Sequence, residues 1–159
     1  CSSDLVRKVR DEFPNIEYEE QIVDAMAALL IRAPEKYDVI VTTNMYGDIL
    51  SDQASEIAGS LGLAASLNAG ERFAMAQAQH GSAPDIAGMD KANPASLIGS
   101  AAMLLRWLGD RRGEEKFAAA GNAIDSAILA MVSSVSTRTA DLGGPLGTGA
   151  FTDGLISHL

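Results

Sequence analysis

The sequence predicts an α/β fold on three observations. Helix-period and strand-like segments alternate through the first sixty residues, proline and glycine punctuate the segment ends, and 47% of the 159 residues are apolar against 21% charged. That composition belongs to a globular domain, and this length is enough to bury a core without disulfide staples.

Leu5, Val6, Val9 and Phe13 recur at helical spacing, and Pro14-Asn15 ends that helix before a short extended run, Ile16-Glu17-Tyr18. Val23 to Ile31 repeats the helical period and stops ahead of Ala33-Pro34. Tyr37-Asp38-Val39-Ile40-Val41-Thr42-Thr43 then has the β-branched density of a buried strand. From Asp48 to about Leu61 the pattern Ile49, Leu50, Ala54, Ile57, Ala58, Leu61 predicts a further helix, closed by Gly59-Ser60-Leu61-Gly62.

Beyond residue 62 the texture shifts to small residues and glycines, which places a domain crossing near residue 60. A strand is expected near Phe73 to Gln77, followed by a proline- and glycine-punctuated loop from His80 to Asn93. Asn93 as N-cap and Pro94 in the first turn start a helix through Leu97, Ile98, Ala101, Leu104 and Leu105 as far as Gly109. Two more helices are predicted, Glu114 to about Val132 and Phe151 to Leu159. Met26, Met103 and Met131 sit on apolar helical faces, where methionine fills core gaps.

Twelve Lys and Arg against 21 Asp and Glu give a net charge of -9, the wrong sign for holding a phosphate backbone. Nucleic acid is therefore an unfavoured partner. The longest unbroken apolar stretch, Ala25 to Ile31, is far short of the ~18–20 residues of a membrane-spanning helix, so no membrane role is expected. Cys1 is the only cysteine, which excludes an internal disulfide and a Cys-x-x-Cys pair and favours a reducing, cytoplasmic setting. The chain starts at Cys inside a helical pattern, and the expectation is that an N-terminal part of a longer protein precedes it.

Asp48 and Asp52 lie four residues apart where a strand runs into a helix, so their carboxylates share one helical face near the strand's C-terminal end. Two such carboxylates suit a hard divalent ion, Mg²⁺ or Mn²⁺. The alternative is that Asp48 favours the helix N-terminus while Asp52 is solvated. Asp24, at another helix start, is a third ligand or a cap. The run His80-Gly81-Ser82-Ala83-Pro84-Asp85-Ile86-Ala87-Gly88 is a stiffened loop of the kind that carries function, or a satisfied loop histidine beside a turn aspartate. An acid such as Asp85 suits a ribose diol and repels the extra phosphate of NADP. Gly143-Gly144-Pro145-Leu146-Gly147-Thr148-Gly149 matches neither the Rossmann fingerprint nor a P-loop.

Val23-Asp24-Ala25-Met26-Ala27, the run Tyr37 to Asp52 with its Thr43-Asn44-Met45-Tyr46-Gly47-Asp48 centre, and Gly59-Ser60-Leu61-Gly62-Leu63 resemble the signature segments of the isocitrate and isopropylmalate dehydrogenase family. The His80 to Ile86 loop, Ala92-Asn93-Pro94 and Asp141-Leu142-Gly143-Gly144 follow in the family's order. The resemblance covers essentially the whole chain and corresponds to the C-terminal half of a family subunit.

The resemblance implies an isopropylmalate dehydrogenase-like, two-lobed mixed sheet flanked by helices, with 1–60 part of a smaller, dimer-forming domain and 61–159 part of a larger, NAD-binding one. It implies NAD-dependent oxidative decarboxylation of a malate-type 2-hydroxy acid: isopropylmalate, malate, tartrate or isocitrate. Asp48 and Asp52 would hold Mg²⁺ or Mn²⁺, with Asp24 reaching the same ion from the other subunit of a homodimer. Cofactor binding would fall on His80, Gly81, Ser82, Ala83, Pro84, Asp85 and Ile86, with Asn93 near the adenine and Asp141 nearby. Gln77 and Gln79 depart from the family, which commonly has an acid two or three residues before the histidine. The family's catalytic lysine and tyrosine lie in the half not represented here. The chain alone is therefore expected to be inactive, and the alternative reading is a non-catalytic nucleotide-binding or assembly module.

Overall fold

The structure is a computed structural model that describes residues 2–159. Cys1, on which the thiol argument turns, lies outside the described residues. The chain forms two compact units, Cys1–Ile57 and Ala58–Leu159.

The first unit is built on three helices, α1 (Ser2–Arg10), α2 (Val23–Arg32) and α3 (Asn44–Ala58). Met26 and Leu30 of α2 meet Leu50 of α3 in a small core, with Val23, Ala27, Tyr37 and Ala54 packed around it. The Gln53 side-chain amide donates to the Ala27 carbonyl at 2.6 Å and stitches α3 to α2. Outside the core, both guanidinium arms of Arg7 reach one carboxylate: Nε meets Glu20 Oε1 at 2.6 Å and Nη2 meets Oε2 at 2.5 Å. Tyr18 donates its hydroxyl to the same Glu20 at 3.0 Å.

Two expected strands are corrected here. Ile16 to Tyr18 and Tyr37 to Thr43 form no ladder. β-Branched residues favour an extended backbone, but a strand exists only where a second strand takes its hydrogen bonds, and among the described residues none does. Val39 and Val41 are accordingly 81% and 71% exposed instead of buried. Helix α3 also begins at Asn44, four residues ahead of the expected start, which puts Asp48 in its second turn and leaves the first turn without an acid.

The second unit begins with an antiparallel hairpin, β1 (Ala65–Ala69) and β2 (Ala74–Ala78), in register from Ala65 opposite Ala78 to Ala69 opposite Ala74. β2 was expected within one residue; Ala-Ser-Leu-Asn-Ala of β1 lacks β-propensity and gave no signal. Helix α4 (Ala95–Arg112) packs on both strands and on α5 (Glu115–Ser133), and α6 (Thr148–Ile156) packs on α5. Two buried serines join α4 to the hairpin backbone. Ser100 Oγ donates to the Gln77 carbonyl at 2.6 Å and accepts the Ser66 amide at 3.1 Å. Ser96 Oγ donates to the Ala64 carbonyl and accepts the Gln79 amide at 3.3 Å. Each hydroxyl thus satisfies backbone groups that a helix–sheet interface would otherwise strand.

The core of this unit is Ala95, Ala127, Met131, Phe151 and Leu155, with Ile98, Ile128 and Leu146 against it. Burying Phe151 completely is worth about 1.5–3 kcal/mol. Met26 and Met131 are core residues, as their helical faces predict. Gly109 is not the end of α4. It lies inside the helix where a Cβ would sit 2.9 Å from the Ala118 backbone nitrogen, and the stop is Gly113, whose φ of 65° is left-handed. Among the described residues no helix is long and apolar enough to cross a membrane.

Candidate functional site

A groove of about 780 Å³ opens on the second unit, and the His80–Asn93 loop forms most of its wall. Ser60–Gly62 and Asp141 complete it, with Thr148 from the first turn of α6. This volume is ordinary for a small-molecule or cofactor site. Among the described residues only Ala83 and Asp90 are non-glycines at positive φ, 42° and 55°, and both line this groove. Such backbone costs on the order of 1–3 kcal/mol per residue and concentrates at ligand-binding positions.

The side chains behind the wall form one hydrogen-bonded knot. Thr139 Oγ1 donates to Asp141 Oδ1 at 2.5 Å. Ser60 Oγ donates to Asp141 Oδ2 at 2.6 Å, and Asn93 Nδ2 donates to the same oxygen at 3.0 Å. Asn93 Oδ1 accepts the Ala95 amide at 3.0 Å, so Asn93 caps α4 although Pro94 occupies the nominal cap position. Partial burial is the largest single influence on Asp141 and pushes its carboxyl up, but the hydrogen bonds from Ser60, Thr139 and Asn93 together outweigh it and hold the carboxyl below its ordinary range.

Of the loop residues that the sequence singles out, His80, Gly81, Ser82, Ala83 and Ile86 line the groove, as do Asn93 and Asp141. Pro84 and Asp85 lie on the short 3-10 turn Pro84–Ile86 outside that lining set, and Asp85 is exposed. His80 Nδ1 lies 2.8 Å from the Gly81 carbonyl oxygen, which assigns that nitrogen a proton. Gln77 is exposed on β2, and its main-chain carbonyl is taken up by Ser100 and Ser66.

Ser60, Gly62, Asp90 and Thr148 are site residues that sequence reasoning missed. Asp90 accepts the Gly149 amide at 2.8 Å and so caps α6 from a distant loop. Gly147 lies so close that a Cβ there would sit 2.2 Å from Asp90 Oδ2, and one at Gly144 would sit 2.2 Å from the Arg138 carbonyl oxygen. Gly144 and Gly147 are thereby explained by close approach, and Gly143 by its φ of 75°. Its spacing relative to Asp90 is invisible in one dimension; the only local signal is a positive-φ-tolerant aspartate beside glycines.

In the first unit, Asp48 and Asp52 stand one turn apart on α3. Asp24 lies in the first turn of α2, where Oδ1 accepts the Ala25 amide at 2.7 Å. Among the described residues these carboxylates do not gather into a three-ligand cluster. Asp48 and Asp52 offer hard oxygen donors of the kind that Mg²⁺ or Mn²⁺ takes, so they fit such an ion in donor type.

Sequence and fold comparisons agree with one another. The family model described as isocitrate/isopropylmalate dehydrogenase matches residues 3–156. The chain is 44% identical over 156 residues to isocitrate/homoisocitrate dehydrogenase of Thermus thermophilus, covering 98% of this chain and 44% of that protein. It is 54% identical over 105 residues to an NADP isocitrate dehydrogenase of Rickettsia bellii, covering 66% of this chain and 22% of that protein. The crystal structure of isocitrate dehydrogenase from Methylococcus capsulatus superposes with a TM-score of 0.88 at 36% identity, covering 98% of this chain and 44% of that one. The chain thus spans under half the length of the first relatives it matches. The helix-rich α/β fold with its small sheet, the expected motif order and these matches over nearly every residue place the chain in the isocitrate/isopropylmalate dehydrogenase family.

Proposed function

We propose that this chain supplies the cofactor groove and part of the metal site of an NAD-dependent dehydrogenase that oxidatively decarboxylates a malate-type 2-hydroxy acid. The observation that carries this reading is the groove itself: the loop whose residues resemble the family's cofactor loop lines a cavity of dinucleotide-compatible volume, with its strained backbone at Ala83 and Asp90. When bound, a divalent ion polarises the substrate hydroxyl and a nicotinamide accepts hydride. Asp48 and Asp52 provide carboxylate oxygens to the ion, and Asp24 serves the partner's site in a homodimer. Asp85 repels a 2′-phosphate and so favours NAD over NADP. The loop from His80 to Ile86 and Asn93 hold the adenosine side. A cytoplasmic, reducing setting belongs to the same reading.

Dinucleotide titration of the purified chain tests the groove directly, with NAD saturating it and adenine-free nicotinamide mononucleotide failing to. The whole subunit, assayed with Mn²⁺ on isocitrate, isopropylmalate, tartrate and malate, is expected to form NADH with one of them, and the Asp52→Asn subunit to need far more Mn²⁺. The 159-residue chain alone is expected to form none, because hydride transfer also requires a base and an oriented substrate. NAD binding without turnover by the whole subunit on any of the four acids would instead favour a non-catalytic nucleotide-binding module.

A further inference from the structure

We propose that Asp141 is a positioning residue of this groove, tying the Ser60–Gly62 turn, Asn93 and Thr139 into one wall whose shape and hydrogen-bonding face are set before a ligand arrives. The inference rests on the reading of the groove as a dinucleotide site and concerns how that site is held.

The donor balance at the knot is complete. Three donors, the hydroxyls of Thr139 and Ser60 and the amide of Asn93, converge on the two carboxylate oxygens of Asp141. An ionised carboxylate is acceptor-only and takes all three, whereas a protonated or amidated side chain turns one acceptor position into a donor and forces a neighbouring hydroxyl to turn round or a bond to be lost. Ser60 and Asn93 are each oriented by a further bond. Ser60 Oγ accepts the Gly62 amide at 3.0 Å, so its proton points to Asp141. Asn93 is fixed from both sides, since the Ala95 amide requires its oxygen and Asp141 requires its nitrogen, which leaves no freedom for an amide flip.

The bonds join segments far apart in sequence: Ser60 and Asp141 are separated by 81 positions, and Asn93 and Asp141 by 48. Packing closes the same spot. A Cβ at Gly62 would sit 2.9 Å from both Asn93 Cβ and Asp141 Oδ2, so the turn fits only because residue 62 has no side chain. Ser60, Asn93 and Thr139 are all buried, and Asp141 forms no ion pair with any described lysine or arginine. Its charge is held by hydrogen bonds, so removing that charge weakens the polar tie among the three segments. Ser60, Asn93 and Asp141 face the groove as well, which couples the knot to whatever the groove holds.

The test is Asp141→Asn in the ¹⁵N-labelled chain, read three ways. NAD affinity is expected to fall at least tenfold. The Asn93 side-chain NH₂ resonance is expected to leave its carboxylate-bonded position, and amide exchange at Gly62 and Leu142 to quicken at least tenfold while Ala127 in α5 stays unchanged. Should Asp141→Asn not fold, Ser60→Ala, which removes one donor and leaves the carboxylate, is read the same way with a smaller effect expected. NAD affinity within twofold of the wild type, with the Asn93 resonance and the exchange rates unmoved, overturns the proposal. A wild-type chain that binds no dinucleotide would sink the cofactor reading, and the exchange and resonance arms would still decide whether Asp141 holds the wall.

Discussion

The carboxylate of Asp90 accepts the backbone amide of Gly149 at 2.8 Å across 59 positions of sequence, and the Asp90 carbonyl accepts the Thr148 amide at 3.2 Å. One residue of the groove loop thereby satisfies two of the free amides at the start of α6, and the groove loop and the terminal helix are fastened to each other. Asp90 adopts a φ of 55° to do so.

Asp90→Ala removes the cap and leaves the left-handed backbone to a residue that tolerates it poorly. The expected loss is about 1–2 kcal/mol, read as a lower thermal midpoint. Asp90→Asn keeps an acceptor oxygen and a residue that visits positive φ, so it should retain most of the stability. Equal midpoints for Asp90→Ala and wild type would show that the bond contributes nothing.

Gly121→Ala is expected to destabilise the second unit by about 1–3 kcal/mol, although alanine is the better helix former. A Cβ at Gly121 would lie 2.7 Å from the Ala102 carbonyl oxygen and 2.9 Å from Arg106 Cγ, so α4 and α5 would have to move apart. Gly113→Ala costs through its φ of 65° instead, with no atom within 4 Å of the added methyl. Chemical denaturation of both variants separates the two causes: only Gly121→Ala should also shift the near-ultraviolet signal of Trp107 on α4.

Acid should loosen the first unit in a defined window. The bidentate Arg7 hydrogen bonds are the main cause that holds the Glu20 carboxyl down at about 2 from an ordinary 4.5; burial opposes them and the Tyr18 hydroxyl assists. A carboxyl lowered in the folded state contributes stability above its unfolded value and loses it as pH falls through the folded one. The contribution is therefore whole above about pH 4.5 and disappears towards pH 2. Circular dichroism melts of wild type and Glu20→Gln across that range should converge at the acid end; parallel curves would remove Glu20 from the acid response.

Asp85→Asn is expected to raise NADP affinity at least tenfold with little change for NAD, because like charges brought together cost on the order of several kcal/mol. Its exposed position on the Pro84–Ile86 turn leaves the fold unaffected by the change. Paired titrations of both cofactors check this, and equal binding of NADP and NAD by the wild type would refute the role of Asp85.

Among the described residues each of the six α-helices was legible in the sequence, though not the short 3-10 turns, because helical periodicity, Pro14, Ala33-Pro34, Asn93-Pro94 and the small residues after Ala58 are local signals that tertiary context did not override. The groove loop was legible for a similar reason: His80 to Gly88 is too long and too proline-stiffened for a plain connection. Strand pairing was decided elsewhere. Tyr37 to Thr43 has the composition of a buried strand and runs unpaired, whereas Ala65–Ala69 lacks that composition and pairs, because a ladder depends on the neighbour that supplies its hydrogen bonds. The glycine uses at 109, 121, 144 and 147, the cap from Asp90 to α6 and the convergence of Ser60, Asn93 and Thr139 on Asp141 likewise join positions far apart in the chain. Close approach of backbones and convergence of donors are distances in space, and only folding brings those residues to one place.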